Sequence, residues 1–338
     1  VVMNVLYLKP YDGEIEILQP LLTADTTVRV AESVSELTEA ERAAIDVISV
    51  FVDYQLTADV LALFPNLRFI ATRSAGYDHI DTAYAAAHSI VVSRVPHYGT
   101  RTVAEFAIAL MFALSRNTSQ TYTDLLQRSS LSELDAYEGF DLAGKTLGVV
   151  GTGAIGRSVC EIARGIGMEV LAYDVNPDTA YANAVGIRYD ALDEVLAASH
   201  IVTLHVPSLP STHHLINSER LALMREGSYL VNTARGDIVD THALVAALES
   251  GRLAGAALDV LEGEHELREE AALLAAGAGT PELWKTLAAD HSLIDMPNVI
   301  VTPHIAFNTV EAKREITTIT AANMVAFATD EPTNVVSA

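Results

Sequence analysis

Short apolar runs alternate along this chain with stretches in which apolar side chains return every three or four positions. In the first third, the runs 5–8, 28–30, 47–52, 68–71 and 90–92 predict strands, with helical stretches between them such as 57–63. Residues 102–115 follow, with Val103, Phe106, Ala107, Leu110 and Leu114 on one helical face. The polar segment 117–140 predicts a helix and then a loop. A second alternating series starts at Lys145: strands are predicted at 146–150, 169–173, 200–205, 228–232, 254–260 and 298–302. Helices are predicted at 155–166, 192–198, 241–250 and 310–327, and an Ala-rich helical patch at 269–279 ends in Gly-Ala-Gly. Strand–helix alternation of this kind predicts parallel, doubly wound sheets. At about 100–200 residues per domain, a chain of 338 residues predicts two such Rossmann-like α/β domains.

Charge narrows the partners. There are 44 acidic against 21 basic side chains, a net charge of −23, which disfavours nucleic acid and anionic membrane surfaces. The acidic excess fits a saline habitat and an ordinary acidic cytosolic protein alike. The single cysteine, Cys160, excludes an intrachain disulfide, fits a reducing compartment and reads as a small core residue. No apolar run approaches the ~18 residues needed to span a bilayer. The opening residues lack the basic start and small-residue cleavage site of a signal peptide and read as a first strand, leaving the cytoplasm as the expected location.

The strongest local signal is Gly151-Thr-Gly153-Ala-Ile-Gly156, set between a predicted strand and a predicted helix. Gly151 permits the tight turn, Gly153 lets the backbone approach a pyrophosphate, and Gly156 lets helix and strand pack closely. The first helical N–H groups, around Ala154 and Ile155, then face the phosphates. Asp174, 18 residues beyond Gly156, closes the next strand where an acid binds the ribose hydroxyls. Its charge would repel a 2′-phosphate, and Val175 beside it is not basic, so the expected cofactor is NAD.

Three ionisable residues follow later strands: Arg235, Glu264 and His304. Ligands of open α/β sheets bind outside the carboxyl ends of the strands, so the three are expected to converge. A guanidinium can clamp a keto acid's carboxylate, an imidazolium can protonate the oxygen that hydride transfer leaves negative, and a carboxylate beside the imidazole favours its charged form. Singly, each has an ordinary reading: a surface arginine, a loop acid, a capping or core histidine. His213 and His214 are adjacent and have no cysteine or carboxylate cluster, so no metal site is expected.

Taken in order, the segments resemble the D-isomer-specific 2-hydroxyacid dehydrogenases over almost the whole chain. They are Arg-Ser-Ala-Gly-Tyr-Asp-His-Ile-Asp at 73–81, Val-Ala-Glu-Phe-Ala at 103–107, the glycine loop, Leu-His-Val-Pro at 204–207, Thr-His-His-Leu-Ile at 212–216, Val-Asn-Thr-Ala-Arg-Gly at 231–236, Ala-Ala-Leu-Asp-Val at 256–260 and Pro-His-Ile-Ala at 303–306. Gly263-Glu264 and the residues from Pro303 to Thr309 resemble the D-lactate dehydrogenase branch. The resemblance implies that Arg235 binds the substrate, that His304 paired with Glu264 is the acid/base, and that Asp259 tunes the site from within the cofactor side. It implies substrate contacts at Ala75, Gly76, Tyr98 and Phe307, and cofactor contacts at His205, Val206, Pro207, Thr233 and Ala234. It further implies a cleft between two domains, a substrate domain built from about 1–101 and 308–338 with the NAD domain at 102–307 between them, and a homodimer formed through the cofactor domain. The expected reaction is reduction of a small 2-keto acid, pyruvate first, to the D-2-hydroxy acid. A hydroxypyruvate or glyoxylate reductase, or a phosphite dehydrogenase, would use the same residues. Glu264 argues against a formate dehydrogenase, and the absence of residues after Ala338 against a phosphoglycerate dehydrogenase with a C-terminal regulatory domain. An NAD-sensing corepressor would share the fold, but no basic surface or extra tail supports it. The stretch 264–297 is longer and richer in alanine than the family pattern, and no role is assigned to it.

Overall fold

The computed structural model describes residues 3–128 and 134–336. The chain forms two compact units: residues up to Tyr98 together with those from Asn308 onward, and Gly99–Phe307. The first holds a five-stranded parallel sheet of β1 (Met3–Leu8), β2 (Thr26–Ala31), β3 (Val47–Val50), β4 (Phe69–Thr72) and β5 (Val91–Ser93), in the order β2-β1-β3-β4-β5. Val5 of β1 stands between Val28 and Val47. β3 and β4 are buried at every position, as expected of central strands covered on both faces, and this is why their sequences read as unbroken apolar runs. The helix Val310–Ala328 is capped by the Thr309 hydroxyl, which accepts from the Ala312 N–H, and its Phe327 ring stacks on Phe69 at 4.4 Å.

A buried ion pair lies inside this unit. Arg73, 2% exposed, donates Nη1 to Glu14 Oε2 at 2.9 Å and Nη2 to the carbonyls of Leu8 and Lys9. Glu14 also accepts the Tyr7 hydroxyl at 2.6 Å, and the guanidinium lies 4.3 Å from the Tyr7 ring centroid.

The second unit holds seven strands: β6 (Thr146–Val150), β7 (Glu169–Tyr173), β8 (Arg188–Tyr189), β9 (Ile201–Leu204), β10 (Ser228–Asn232), β11 (Leu253–Leu258) and β12 (Val299–Val301). All pair in parallel, in the order β12-β11-β10-β9-β6-β7-β8. The order therefore reverses between β6 and β9, the place where doubly wound sheets take ligands. The helices Thr100–Ser115 and Ala154–Gly165 cover one face, with Ala107, Met111, Val159, Cys160 and Ala163 in one core cluster with Val149. Burial pushes the Cys160 thiol up to about 12, which keeps it an inert core side chain. Within the polar segment 117–140, a helix spans Thr118–Arg128 and a 3-10 turn Leu134–Tyr137; residues 129–133 of the predicted helix and loop lie outside the described residues. Among the described residues, no helix is long and apolar enough to cross a membrane.

Candidate active site

The glycine loop connects β6 to the helix Ala154–Gly165, whose N-cap is Gly153 and has no side chain capping it. Gly151 has φ +93°, and a Cβ there would lie 2.8 Å from the His205 carbonyl carbon. A Cβ on Gly156 would meet the Gly151 carbonyl oxygen at 2.0 Å. These two glycines let the loop, its helix and the exit of β9 pack without a gap. Gly153 differs: nothing lies within 4 Å of a Cβ built there, so the space beside its backbone is open. Asp174 follows β7. Its Oδ2 accepts the Thr152 N–H at 2.7 Å and hydroxyl at 3.0 Å, and its Oδ1 the Asn176 N–H at 2.9 Å. Burial acts to raise the pKa of Asp174, but the hydrogen bonds from Asn176 and Thr152 outweigh it and hold the carboxyl below the usual carboxylate range. Val175 beside it is 78% exposed.

His205, Val206 and Pro207 leave the end of β9, next to β6. His205 Nε2 lies 2.9 Å from Thr203 Oγ1, and the Pro207 carbonyl accepts the Thr212 hydroxyl at 2.6 Å. Thr233, just past β10, has a buried hydroxyl with no hydrogen-bond partner among the described residues. An open backbone at Gly153, an uncapped helix start, an ionised acid after β7 and an orphaned hydroxyl past β10 together fit a dinucleotide.

The ends of β10, β11 and β12 lie side by side, Asn232 against Leu258 and Leu258 against Val301. Arg235 stands three residues past β10 on a turn held by Asn232, whose Oδ1 accepts the Ala234 N–H at 3.0 Å and whose Nδ2 donates to the Arg235 carbonyl at 2.8 Å. Arg235 Nη1 donates to the Ala234 carbonyl at 2.8 Å. A Cβ on Gly236 would lie 2.1 Å from the Leu261 carbonyl, so this turn rests directly on the loop that leads to Glu264.

The structure brings Glu264 and His304 together. His304 Nδ1 lies 3.1 Å from Glu264 Oε1 and 3.2 Å from Oε2. Arg268, one turn further along the helix Glu264–Arg268, donates to Oε1 at 2.7 Å. Burial acts to raise the pKa of Glu264; the contacts with His304 and Arg268 outweigh it and hold the carboxyl below its ordinary value. His304 has φ +57°, a conformation uncommon outside glycine. Asp259 fastens it: its carbonyl accepts the His304 N–H at 2.9 Å, while its carboxylate accepts the Thr302 hydroxyl at 2.6 Å and the N–H groups of Ile305 and Ala306 at 2.9 and 2.8 Å. Burial pushes the Asp259 carboxyl above the ordinary carboxylate range despite those bonds. All described hydrogen bonds of its carboxylate go to the segment 302–306 that carries His304.

Ala75, Gly76 and Tyr98 belong to the other unit. Ala75 and Gly76 follow β4, where the Ser74 hydroxyl donates to the Gly76 carbonyl at 2.6 Å and Arg94 Nη1 to the Ala75 carbonyl at 3.4 Å. Tyr98 and Phe307 are the last residues before the chain leaves each unit. The sequence reading missed Asn232, Thr302 and Arg268. Arg268 had a signal, its spacing of four from Glu264; Asn232 stands inside a motif but acts on the backbone of its own turn, and Thr302 stands beside one and acts on the Asp259 carboxylate. No cluster of histidine, cysteine or carboxylate that could hold a metal occurs among the described residues.

The family model of the D-isomer specific 2-hydroxyacid dehydrogenase NAD binding domain matches residues 108–306. The D-specific alpha-keto acid dehydrogenase of Enterococcus faecalis is 41% identical over 275 residues, covering 80% of this chain and 79% of its own. The glycerate dehydrogenase of Methylorubrum extorquens is 35% identical over 288 residues, covering 84% and 83%. Among solved structures, the D-lactate dehydrogenase of Aquifex aeolicus, complexed with NAD and lactic acid, superposes with a TM-score of 0.86 at 36% identity, covering 97% of this chain and 96% of that one.

Proposed function

The chain belongs to the D-isomer specific 2-hydroxyacid dehydrogenases and is an NAD-dependent oxidoreductase, and from that premise we propose that it reduces a small 2-keto acid, pyruvate foremost, to the D-2-hydroxy acid. The observation that carries this reading is the His304–Glu264 contact at 3.1 Å, on the same row of strand ends as Arg235. Arg235 binds the carboxylate and orients the carbonyl, since a guanidinium matches two oxygens at once. Bound NADH supplies the hydride, which the carbonyl carbon takes up. His304 gives its proton to the carbonyl oxygen, and the Glu264 carboxylate, held ionised by its contacts with His304 and Arg268, faces Nδ1 and fixes the ring's orientation. In the oxidising direction His304 accepts the same proton back.

The likeness to a D-specific alpha-keto acid dehydrogenase and to a D-lactate dehydrogenase supports a substrate with a short side chain, and the family resemblance assigns that side chain to Tyr98 and Phe307. Burying a second carboxylate without a guanidinium costs several kcal/mol, which favours a methyl or ethyl side chain over an acidic one. The likeness to a glycerate dehydrogenase supports hydroxypyruvate as the second reading. Initial rates of NADH oxidation with pyruvate, 2-ketobutyrate, hydroxypyruvate, glyoxylate and oxaloacetate decide between them, with chiral chromatography of the product. Pyruvate is expected to give the highest kcat/KM of the panel and D-lactate as its product. A higher kcat/KM with hydroxypyruvate replaces the first reading by the second; L-lactate removes the assignment of handedness.

A further inference from the structure

The helix Pro281–Asp295 carries an acid in its apolar row. Its buried positions are Leu287, Ala289, Asp290 and Leu293, so Asp290 occupies a place where a hydrophobic side chain would complete the face. Asp290 is 0% exposed, and acids are almost never so deeply buried without a specific partner. Its Oδ2 accepts the Gly263 N–H at 3.0 Å, and its Oδ1 has no hydrogen-bond partner among the described residues. Burial pushes its pKa up to about 7; the Gly263 N–H and His291 act against that, and the charges of Glu262 and Glu266 add to it.

Gly263 is the residue immediately before Glu264 and the N-cap of the short helix that Glu264 begins, with no side-chain cap of its own. The longer helix approaches this glycine closely. A Cβ at 263 would lie 2.8 Å from Asp290 Oδ2 and 3.1 Å from Leu287 Cδ2. On the other side of the turn, Glu262 is held by His214 Nε2 at 2.7 Å and by the Thr241 N–H at 3.3 Å. The turn is thus tied at Glu262 to the loop after β9 and at Gly263 to the helix Pro281–Asp295, and between these ties Glu264 meets His304. A buried carboxyl with one of its oxygens unpaired is costly. Packing does not require it, since an apolar residue would fill the row; the Gly263 amide does.

We infer that Asp290 is a positioning residue for the reaction: by holding the Gly263 amide it fixes the turn from which Glu264 engages His304. This assigns a role to the stretch after Glu264, and it rests on the reading that Glu264 and His304 form the proton relay.

The test compares Asp290→Ala, Asp290→Asn and Glu264→Gln in the full chain, measuring kcat and KM for pyruvate reduction across pH. Reduction needs the imidazolium, so the rate falls as pH rises, and loss of the Glu264 carboxylate moves that fall to lower pH. Asp290→Ala is expected to lower kcat by about 10- to 100-fold, the effect of a misplacement near 1 Å. It is expected to leave the KM for NADH nearly unchanged and to move the fall to lower pH, in the same direction as Glu264→Gln. Asp290→Asn keeps an oxygen for the Gly263 N–H and is expected to restore most of kcat and the wild-type pH profile. If Asp290→Ala does not fold, Asp290→Leu fills the apolar row without an acceptor and takes its place. An unmoved pH profile in the Ala or Leu variant, or an Asn variant as impaired as they are, overturns the inference. A Glu264→Gln profile that does not move removes the relay and the inference together, whereas a shift in Glu264→Gln without one at Asp290 removes the inference alone.

Discussion

The two parallel sheets hide charge in opposite ways. In the five-stranded unit the buried charge closes on its counter-charge: Arg73 meets Glu14, and Arg73 Nη2 donates to the Leu8 and Lys9 carbonyls. Glu14 also accepts from the Tyr7 hydroxyl, the Tyr11 N–H and the Thr317 hydroxyl, and Arg73 Nε alone of these groups has no hydrogen-bond partner among the described residues. In the seven-stranded unit the buried acids Asp259 and Asp290 have no bonded cation among the described residues; they accept backbone N–H groups of the turns that carry His304 and Glu264. An ion pair of the first kind adds little net stability over apolar residues of the same shape, yet losing one partner is severe. A carboxyl of the second kind costs burial energy in return for fixing a loop that side-chain packing alone leaves loose. The difference separates charge that keeps a core intact from charge that keeps reacting groups in place.

The largest effect is expected at the closed pair. Arg73→Ala leaves Glu14 buried without its cation and should destabilise the protein by about 3–5 kcal/mol in urea unfolding. The double change Arg73→Met with Glu14→Leu should recover most of that loss, because both charges go together. A loss below about 1 kcal/mol for Arg73→Ala would mean that the pair is not closed as described. The next effect falls on activity. Asp259→Ala frees the Ile305 and Ala306 amides and releases the strained turn at His304. It should lower kcat by about 10²-fold at saturating cofactor, with the KM for NADH changed far less. An Asp259→Ala enzyme with kcat intact and stability collapsed would put both units in the same class and break the comparison.

The strands were legible because parallel strands covered on both faces read as continuous apolar runs; β3 and β4 are clear cases. The glycine loop was legible because its turn needs residues that only a strand–turn–helix context explains. β8 was not, being two residues long with the exposed Arg188 in it. The helix Pro281–Asp295 was also missed, although Thr280 and Pro281 are ordinary start signals. Its apolar row is interrupted by Asp290, so the period that would reveal it fails at the residue with the most to say. Arg235, Glu264 and His304 could be singled out from their places after strands. Their supports could not: Asn232 and Asp290 act through hydrogen bonds to turns and Thr302 through the Asp259 carboxylate, and a sequence shows neither a turn's path nor its unpaired amides.

The smallest effect sharpens the picture of Glu264 itself. Its Oε1 is shared between His304 and Arg268, and the Arg268 side chain is 45% exposed. A guanidinium on the same oxygen draws carboxylate charge away from the imidazole and adds a positive charge near it, and both disfavour the imidazolium that reduction uses. Arg268→Gln should therefore move the fall of the reduction rate to higher pH, the opposite sign to Glu264→Gln. Because an exposed pair is worth only about 0.2–1 kcal/mol, at 1.36 kcal/mol per pH unit the shift should be roughly 0.1–0.7. It should be largest in dilute buffer, where the exposed guanidinium is least screened. A rate profile measured at low and high salt for wild type and Arg268→Gln reads this directly. A shift to lower pH in the variant would mean that Arg268 holds Glu264 toward His304 rather than competing for it, and Arg268 would then join Asp259 and Asp290 as a support of the turn.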